Sequence, residues 1–248
     1  MSQKGFANSV RLKIFTMAKV DLVQYLINRH KEGLKLCPEP GPVVTISREM
    51  GCSGTQITQM LVTELNRRYE FRNGEPWKWI GKEEIQAAAA HALDLPPDEI
   101  SYVLEAKKKT MMDDILQSFS NKYYKSDRTI RKTVKDVIRS IACSGRVVIL
   151  GRGGVAITRD IPRSLHINLE APLEWRTLRI SEKMQIDLKE AETFVLTIDK
   201  QRADFRDYFG GKNTDYTRFD ISFNSMTLSV REIVDIIIKT MEIRKFIY

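Results

Sequence analysis

Apolar positions recur along the chain with two periods, and their alternation lays out the fold. Val43-Val44-Thr45-Ile46 is a β-branched run that leads into the loop Ser47-Arg48-Glu49-Met50-Gly51-Cys52-Ser53-Gly54. From Thr55 to about Arg68, Ile57, Met60, Leu61 and Leu65 fall at i, i+3, i+4 and i+8, one face of a helix. Glu75-Pro76 reads as a turn into a second strand near Trp77–Ile80. Val147-Val148-Ile149-Leu150, four apolar residues stopped by Gly151, suits a central parallel strand buried on both faces. Leu165–Leu169 is the next strand, and Phe219–Asn224 alternates as the last.

The intervening segments carry helical spacing. Residues 83–142 read as mostly helical: Ala87–Ala90 favour helix, Pro96-Pro97 starts a new one, and Ile130, Val134, Val137, Ile138 and Ile141 share a face. Helices are expected again over Leu173–Ile180 and over Leu188–Tyr208, the latter stopped by Phe209-Gly210-Gly211. Val230, Ile233, Val234, Ile237, Ile238 and Met241 make a closing amphipathic helix. Strands near 43, 77, 146, 165 and 219 separated by helices predict a three-layer α/β domain with a central five-stranded parallel sheet. Residues 1–42 stand apart as an N-terminal helical extension joined by a connector holding Pro38, Pro40, Gly41 and Pro42. Such a helix packs on its own domain or joins two copies of the chain. The 43–248 remainder is one domain.

Composition narrows the class. In 248 residues, 42% hydrophobic and 29% charged content describes a globular chain, and no apolar run reaches the roughly 18 residues needed to span a bilayer. The N-terminal segment is interrupted by Lys13, Lys19 and Asp21, unlike a secretory leader, so a cytoplasmic location without membrane partners is expected. Cys37, Cys52 and Cys143 are widely spaced, which argues against a disulfide framework and a zinc site. The net charge of +8 asks for an anionic partner. Ten Lys/Arg against four Asp lie between Lys107 and Arg139. Two readings of that stretch stand: a nucleic-acid patch, or solvated helix faces near a nucleotide site.

The loop at 47–55 carries the chemistry. A strand, a small-residue loop and a helix together make an anion site, because backbone N–H groups converge where the helix contributes partial positive charge. Met50, Gly51, Cys52, Ser53, Gly54 and Thr55 are the candidate cradle. Laid on G-x-x-x-x-G-K-[ST], the stretch puts Gly54 at the lysine and Thr55 at the Ser/Thr, so the phosphate-clamping lysine is absent. A second candidate is Gly151-Arg152-Gly153-Gly154, at the strand edge where open α/β sheets bind ligands. Arg152 suits bidentate phosphate contact, and a surface turn is the plainer alternative. Arg176, Arg179 and Lys183 fall at i, i+3, i+7, as do Asp199, Arg202 and Arg206. In the second set Asp199 either orients Arg202 or makes an ordinary intrahelical ion pair.

Ile46-Ser47-Arg48-Glu49 with Gly51 and Gly54, the Gly-Arg-Gly at 151–153, Ala171-Pro172-Leu173 ahead of Arg176, and Asp199, Arg202 and Tyr208 follow one another as in the cytidylate kinase-like family, which the chain resembles over roughly residues 43–243. Lys82, Glu83 and Ile85 match a further segment, in which Gly81 replaces an acid. The resemblance implies a P-loop kinase fold with an acceptor-binding insertion at about 83–142 and a lid at about 172–190. It implies phosphoryl transfer from ATP, with Mg²⁺ contacted by Thr55, to a nucleotide or similar small phosphorylated acceptor. In that frame Arg48 either substitutes for the missing lysine or points away from the site, and Arg176 and Arg179 are lid arginines. Arg152, Arg202, Arg206, Asp199 and Lys82 attend the phosphates. A non-catalytic nucleotide-binding domain on the same fold is the second expectation, and a nucleic-acid-binding protein the third.

Overall fold

The structure, a computed structural model, describes residues 41–69, 75–98, 100–101, 126–211 and 218–248. The expected N-terminal helix, the residues at 107–125 of the basic stretch and Tyr123-Tyr124 lie outside these.

Five strands form one parallel sheet in the order β2-β3-β1-β4-β5. They are β1 (Val43–Arg48), β2 (Lys78–Ile80), β3 (Val147–Leu150), β4 (Ser164–Glu170) and β5 (Ile221–Asn224). β1 sits between β3 and β4, with Val43 paired to both Val147 and Ser164. A central strand must be apolar on both faces, and Val43, Val44, Ile46, Val148 and Ile149 are all fully buried. Each such side chain contributes about 1.5–3 kcal/mol by leaving water.

Alternation along the strands divides two cores. Val44, Ile46, Val148, Leu150 and Leu165 face helix α1 (Gly54–Arg68) and the C-terminal helix α7 (Val230–Ile243). Val43, Val147 and Ile149 face the opposite way, onto α2 (Lys82–Leu93), α3 (Asp127–Ser144) and the single turn α4 (Gly154–Ile157). Helices on both sheet faces make the three-layer α/β architecture. Local signals set the helix starts. Ser126 accepts from Thr129 N–H ahead of α3, and Ser229 and Glu232 form a reciprocal capping box on α7.

Two more helices, α5 (Leu173–Met184) and α6 (Leu188–Gly210), form a hairpin after β4. Asp187 caps α6 by accepting from Glu190 N–H. The hairpin has a small core of Ile180, Ala191 and Val195, against which Met50, Leu173, Ile186 and Phe194 pack. Cys52 is a free thiol, and Cys143 is disulfide-bonded.

Candidate functional site

The C-terminal ends of the parallel strands converge where β1 passes into α1. The connecting loop is held from behind by a cluster of charges. Asp199 of α6 accepts from Met50 N–H at 2.6 Å and from Arg176 Nη1 at 2.5 Å. Arg176 also donates to Met50 O at 3.1 Å and to Ala171 O at 2.8 Å, and its Nε lies 3.2 Å from Glu49 Oε2. Its side chain is 7% exposed. Gly51, at φ +95°, lies so close to α5 that a Cβ there would stand 2.9 Å from Arg176 Cβ. Loop and hairpin are therefore one clamped unit.

Two sequence expectations change here. Arg176 and Lys183 share a spacing but not an environment: Arg176 is buried and bound to Asp199, Met50 and Ala171, while Lys183 is exposed. Arg176 is thus a positioning residue, not a solvent-facing lid cation. Arg179 keeps a place at the loop, donating to Ser53 Oγ at 3.2 Å and stacking over Trp175 at 4.6 Å. Asp199 lies only within 3.9 Å of Arg202, so its main work is on Met50 and Arg176. Met50, whose N–H is taken by Asp199, drops out of the set of amides expected to face an anion. Cys52 N–H and Gly54 N–H have the internal acceptors Glu49 O and Cys52 O. The hydrogen bonds of the described residues leave Gly51, Ser53 and Thr55 amides without an acceptor. Thr55 stands exposed in the first turn of α1, where the helix has no intrahelical acceptors of its own to offer its N–H groups.

Beside the loop is a cavity of about 270 Å³ lined by Arg48, Arg152, Arg202 and Arg206, with Phe205 and Gln201 among its other walls. Arg48 runs beneath the start of α1 and turns under Gly151. A Cβ on Gly54 would meet Arg48 Cγ at 3.0 Å, and one on Gly151 would stand 1.8 Å from Arg48 Nη1. Arg48 is half-buried, and no carboxylate pairs with it among the described residues. Burial first, then Arg202 and Arg152, pushes its pKa down to about 9. It remains charged at neutral pH. Arg202 and Arg206 are also lowered, chiefly by burial; Asp199 opposes the shift at Arg202, whereas Arg218 adds to it at Arg206. Arg202 Nη1 donates to Arg48 O at 3.2 Å. Arg202 and Arg206 lie 3.9 Å from Asp199 and Asp207, carboxylates outside the cavity wall, and the four half-buried arginines gathered there suit an anion.

The structure thus brings Arg48, Arg152, Arg202 and Arg206 together, with Arg179 and Thr55 at the loop. Lys82 begins α2 and is not part of the cavity wall. Sequence reading missed Ser47, Ile198, Gln201 and Phe205 as lining residues. A signal was present: Ile198, Gln201, Arg202, Phe205 and Arg206 fall at i, i+3, i+4, i+7 and i+8, one face of α6. The described basic residues of the 107–139 stretch lie on α3, where Arg139 is paired with Asp160 at 2.5 Å and Arg131 stacks over Tyr208 at 4.3 Å.

The profile of the cytidylate kinase-like family matches residues 43–227, from the start of β1 to just past β5. The chain belongs to this family. Among solved structures, an uncharacterized protein from Eubacterium ventriosum ATCC 27560 shares the fold, with a TM-score of 0.54 and 20% identity over 81% of this chain and 98% of that one. A shikimate kinase from Bacteroides thetaiotaomicron aligns at 14% identity over 81% and 98% of the two chains, TM-score 0.43. A gluconokinase from Sinorhizobium meliloti 1021 aligns at 11% identity over 84% and 97%, TM-score 0.44. No curated protein matches the sequence. Family and topology together make this a kinase-like P-loop fold, in which the loop at 49–54 joins β1 to α1. No helix among the described residues is long and apolar enough to cross a membrane.

Proposed function

We propose that this protein is an ATP-dependent phosphotransferase that moves the γ-phosphoryl group of Mg-ATP to a nucleoside monophosphate or a similar phosphorylated acceptor. The observation that carries this reading is Arg48: a half-buried guanidinium with no carboxylate partner among the described residues, in the wall of a cavity it shares with three other arginines. Phosphoryl transfer needs positioning and charge neutralisation more than covalent chemistry, and a lowered-pKa cation held beside a phosphate loop supplies both.

The residues present fit a triphosphate. The amides of Gly51, Ser53 and Thr55 and the N-terminus of α1 offer donors, and Arg179 reaches the rim at Ser53. For Mg²⁺ the protein offers the exposed Thr55 hydroxyl, which suits an ion that keeps water and phosphate oxygens as most of its ligands. Mg²⁺ held there would supply charge neutralisation for the phosphates. Arg48 then takes the role of the absent lysine, and Arg152, Arg202 and Arg206 hold the acceptor's phosphate. Asp199 and Arg176 fix the loop. The described cavity wall holds no Asp, Glu or His. An acceptor hydroxyl needs a base to take its proton, whereas an acceptor phosphate at neutral pH is already a nucleophilic anion. The lining therefore favours a phosphate oxygen as the acceptor atom.

One observation favours a second reading, a nucleotide-binding domain without turnover: Gly54 stands where the lysine of the P-loop pattern belongs. A single experiment separates the two. Purified protein with Mg-ATP is incubated with CMP, dCMP, UMP or AMP, and diphosphate product is followed directly. The transferase reading expects one acceptor to turn over and the activity to be lost in Arg48→Ala and Arg152→Ala. Calorimetric ATP binding without any product supports the second reading, and absence of ATP binding refutes both.

A further inference from the structure

Trp175 lies in the first turn of α5, half-buried, and joins none of the apolar cores that the described residues form. An indole left on a helix flank forgoes much of the burial that makes a tryptophan stabilising inside a protein. Its ring has another use. Arg179 follows at i+4, on the same side of α5, and its guanidinium lies 4.6 Å from the centroid of the Trp175 ring.

The stacked guanidinium reaches the start of α1. Ser53 is the N-cap of that helix, where a serine ordinarily accepts from the helix's own first amides, yet its side chain makes no such bond. Instead Ser53 Oγ accepts from Arg179 Nη2 at 3.2 Å, a contact between residues 126 apart in the chain. The guanidinium therefore stands at a helix end that carries partial positive charge and disfavours a cation. An indole face and a hydroxyl are both uncharged, so neither contact neutralises it, and no ion pair among the described residues includes Arg179. A cation kept at the positive end of a helix by uncharged contacts is best placed when an anion lies between the two.

We propose that Trp175 is a positioning residue: its indole face holds the Arg179 guanidinium at Ser53, so that an anion arriving at the start of α1 meets a side chain already in place. An unbraced arginine on a helix surface samples many rotamers, and freezing them out on binding costs affinity. Stacking against a ring removes part of that cost in advance. The proposal rests on the phosphotransferase reading for its ligand, the phosphates of Mg-ATP, whereas the stack itself does not depend on that reading.

Two readouts test it. In the full chain labelled with ¹⁵N, the Arg179 Nε–H resonance, assigned through Arg179→Gln, should lie upfield because of the Trp175 ring current. In Trp175→Leu it should return to the ordinary arginine position. Calorimetry then measures binding of Mg-ATP and of magnesium tripolyphosphate, which has phosphates but no base. Trp175→Leu should weaken both about three- to tenfold, as loss of one cation–π contact does. Trp175→Phe, which keeps a ring face, should restore most of that. In an Arg179→Gln background, Trp175→Leu should have no further effect, whereas a mere loss of packing would persist there. The proposal is overturned if the Arg179 signal stays put in Trp175→Leu, if that variant binds both ligands like the parent chain, or if the two substitutions add in full. It is also overturned if Trp175→Leu weakens Mg-ATP but not tripolyphosphate, which would put the indole against the base. A parent chain that binds neither ligand defeats the phosphotransferase reading and the proposal with it; a parent that binds while Trp175→Leu binds equally well defeats the proposal alone.

Discussion

Replacing Arg48 by methionine separates a functional from a structural reading of the phosphate loop by the sign of one number. The side chain is sheathed by Gly54 and Gly151, and its charge is held against burial and two neighbouring arginines. Its pKa falls from the ordinary arginine range to about 9. At about 1.4 kcal/mol per tenfold change in a proton equilibrium, that displacement is on the order of 5 kcal/mol of unfavourable charge burial. Methionine keeps most of the unbranched stem and removes the charge. Part of the gain is lost to imperfect packing, so the expected stabilisation of ligand-free protein is about 1–3 kcal/mol. Affinity for Mg-ATP should fall at least tenfold in the same variant. Urea denaturation of the two proteins without ligand, followed by calorimetry with Mg-ATP, measures both. The pH dependence carries its own sign. A cation whose folded pKa is lowered costs stability below that pKa, so the advantage of Arg48→Met should be constant below about pH 9 and shrink as pH rises above it. If Arg48→Met is instead less stable by more than about 1 kcal/mol, Arg48 is a structural residue and the anion-site argument fails.

Three further outcomes follow from neighbouring groups. Asp199→Ala leaves Arg176 buried with Glu49 as its remaining ion-pair partner, and should cost about 3–5 kcal/mol in denaturant titration. Adding Arg176→Met to that variant should recover a large part of the loss. Gly151→Ala forces a side chain into the left-handed region at φ +72°, a cost of about 1–2 kcal/mol. Its Cβ also evicts the Arg48 guanidinium, so calorimetry should find Mg-ATP affinity reduced as in Arg48→Met but with a lower melting temperature. Glu64, hydrogen-bonded first to Arg67 and then to Arg68, has its pKa drawn down to about 2. Its stabilising contribution is complete above about pH 4.5 and is lost as pH falls through 2, so Glu64→Gln should flatten the acid limb of a stability–pH curve over that window.

The strands and the closing helix were legible because their period is a direct image of burial. Val43 to Ile46 and Val147 to Leu150 are apolar on both faces because both faces are covered. The loop after β1 and Gly151-Arg152-Gly153 were legible as candidate chemistry, and the structure sets Arg48 and the second of them in one cavity wall. Direction was not legible. Arg176, Arg179 and Lys183 lie on one stripe, and nothing in the spacing tells which of them the hairpin buries. Asp199 illustrates the same limit: its sequence neighbour at i+3 is Arg202, but its short contacts are with Met50 and Arg176, 149 and 23 residues away. Those contacts depend on how α6 crosses the loop, which is set by packing around Ile180, Ala191 and Val195. The strand order likewise rests on pairing between distant segments, which no local period encodes.

The missing lysine and the buried arginine are best understood as one exchange of seats. In the P-loop pattern the lysine position precedes the Ser/Thr, here Gly54 before Thr55. A Cβ at Gly54 would press on Arg48 Cγ at 3.0 Å and Cδ at 3.3 Å, so any side chain at 54 competes with the arginine stem for the same volume. Gly54→Lys should therefore fail to improve the site despite restoring the pattern. Two cations would contend for one seat, and Mg-ATP affinity should drop at least tenfold. In Gly54→Lys/Arg48→Met the seat is vacated by one cation as the other arrives, and affinity should recover beyond the sum of the two single effects. Calorimetry on the four proteins of this cycle gives the coupling directly. Tighter Mg-ATP binding by Gly54→Lys with Arg48 still present would show that the two seats are independent, and Arg48 would lose its claim to the lysine's role.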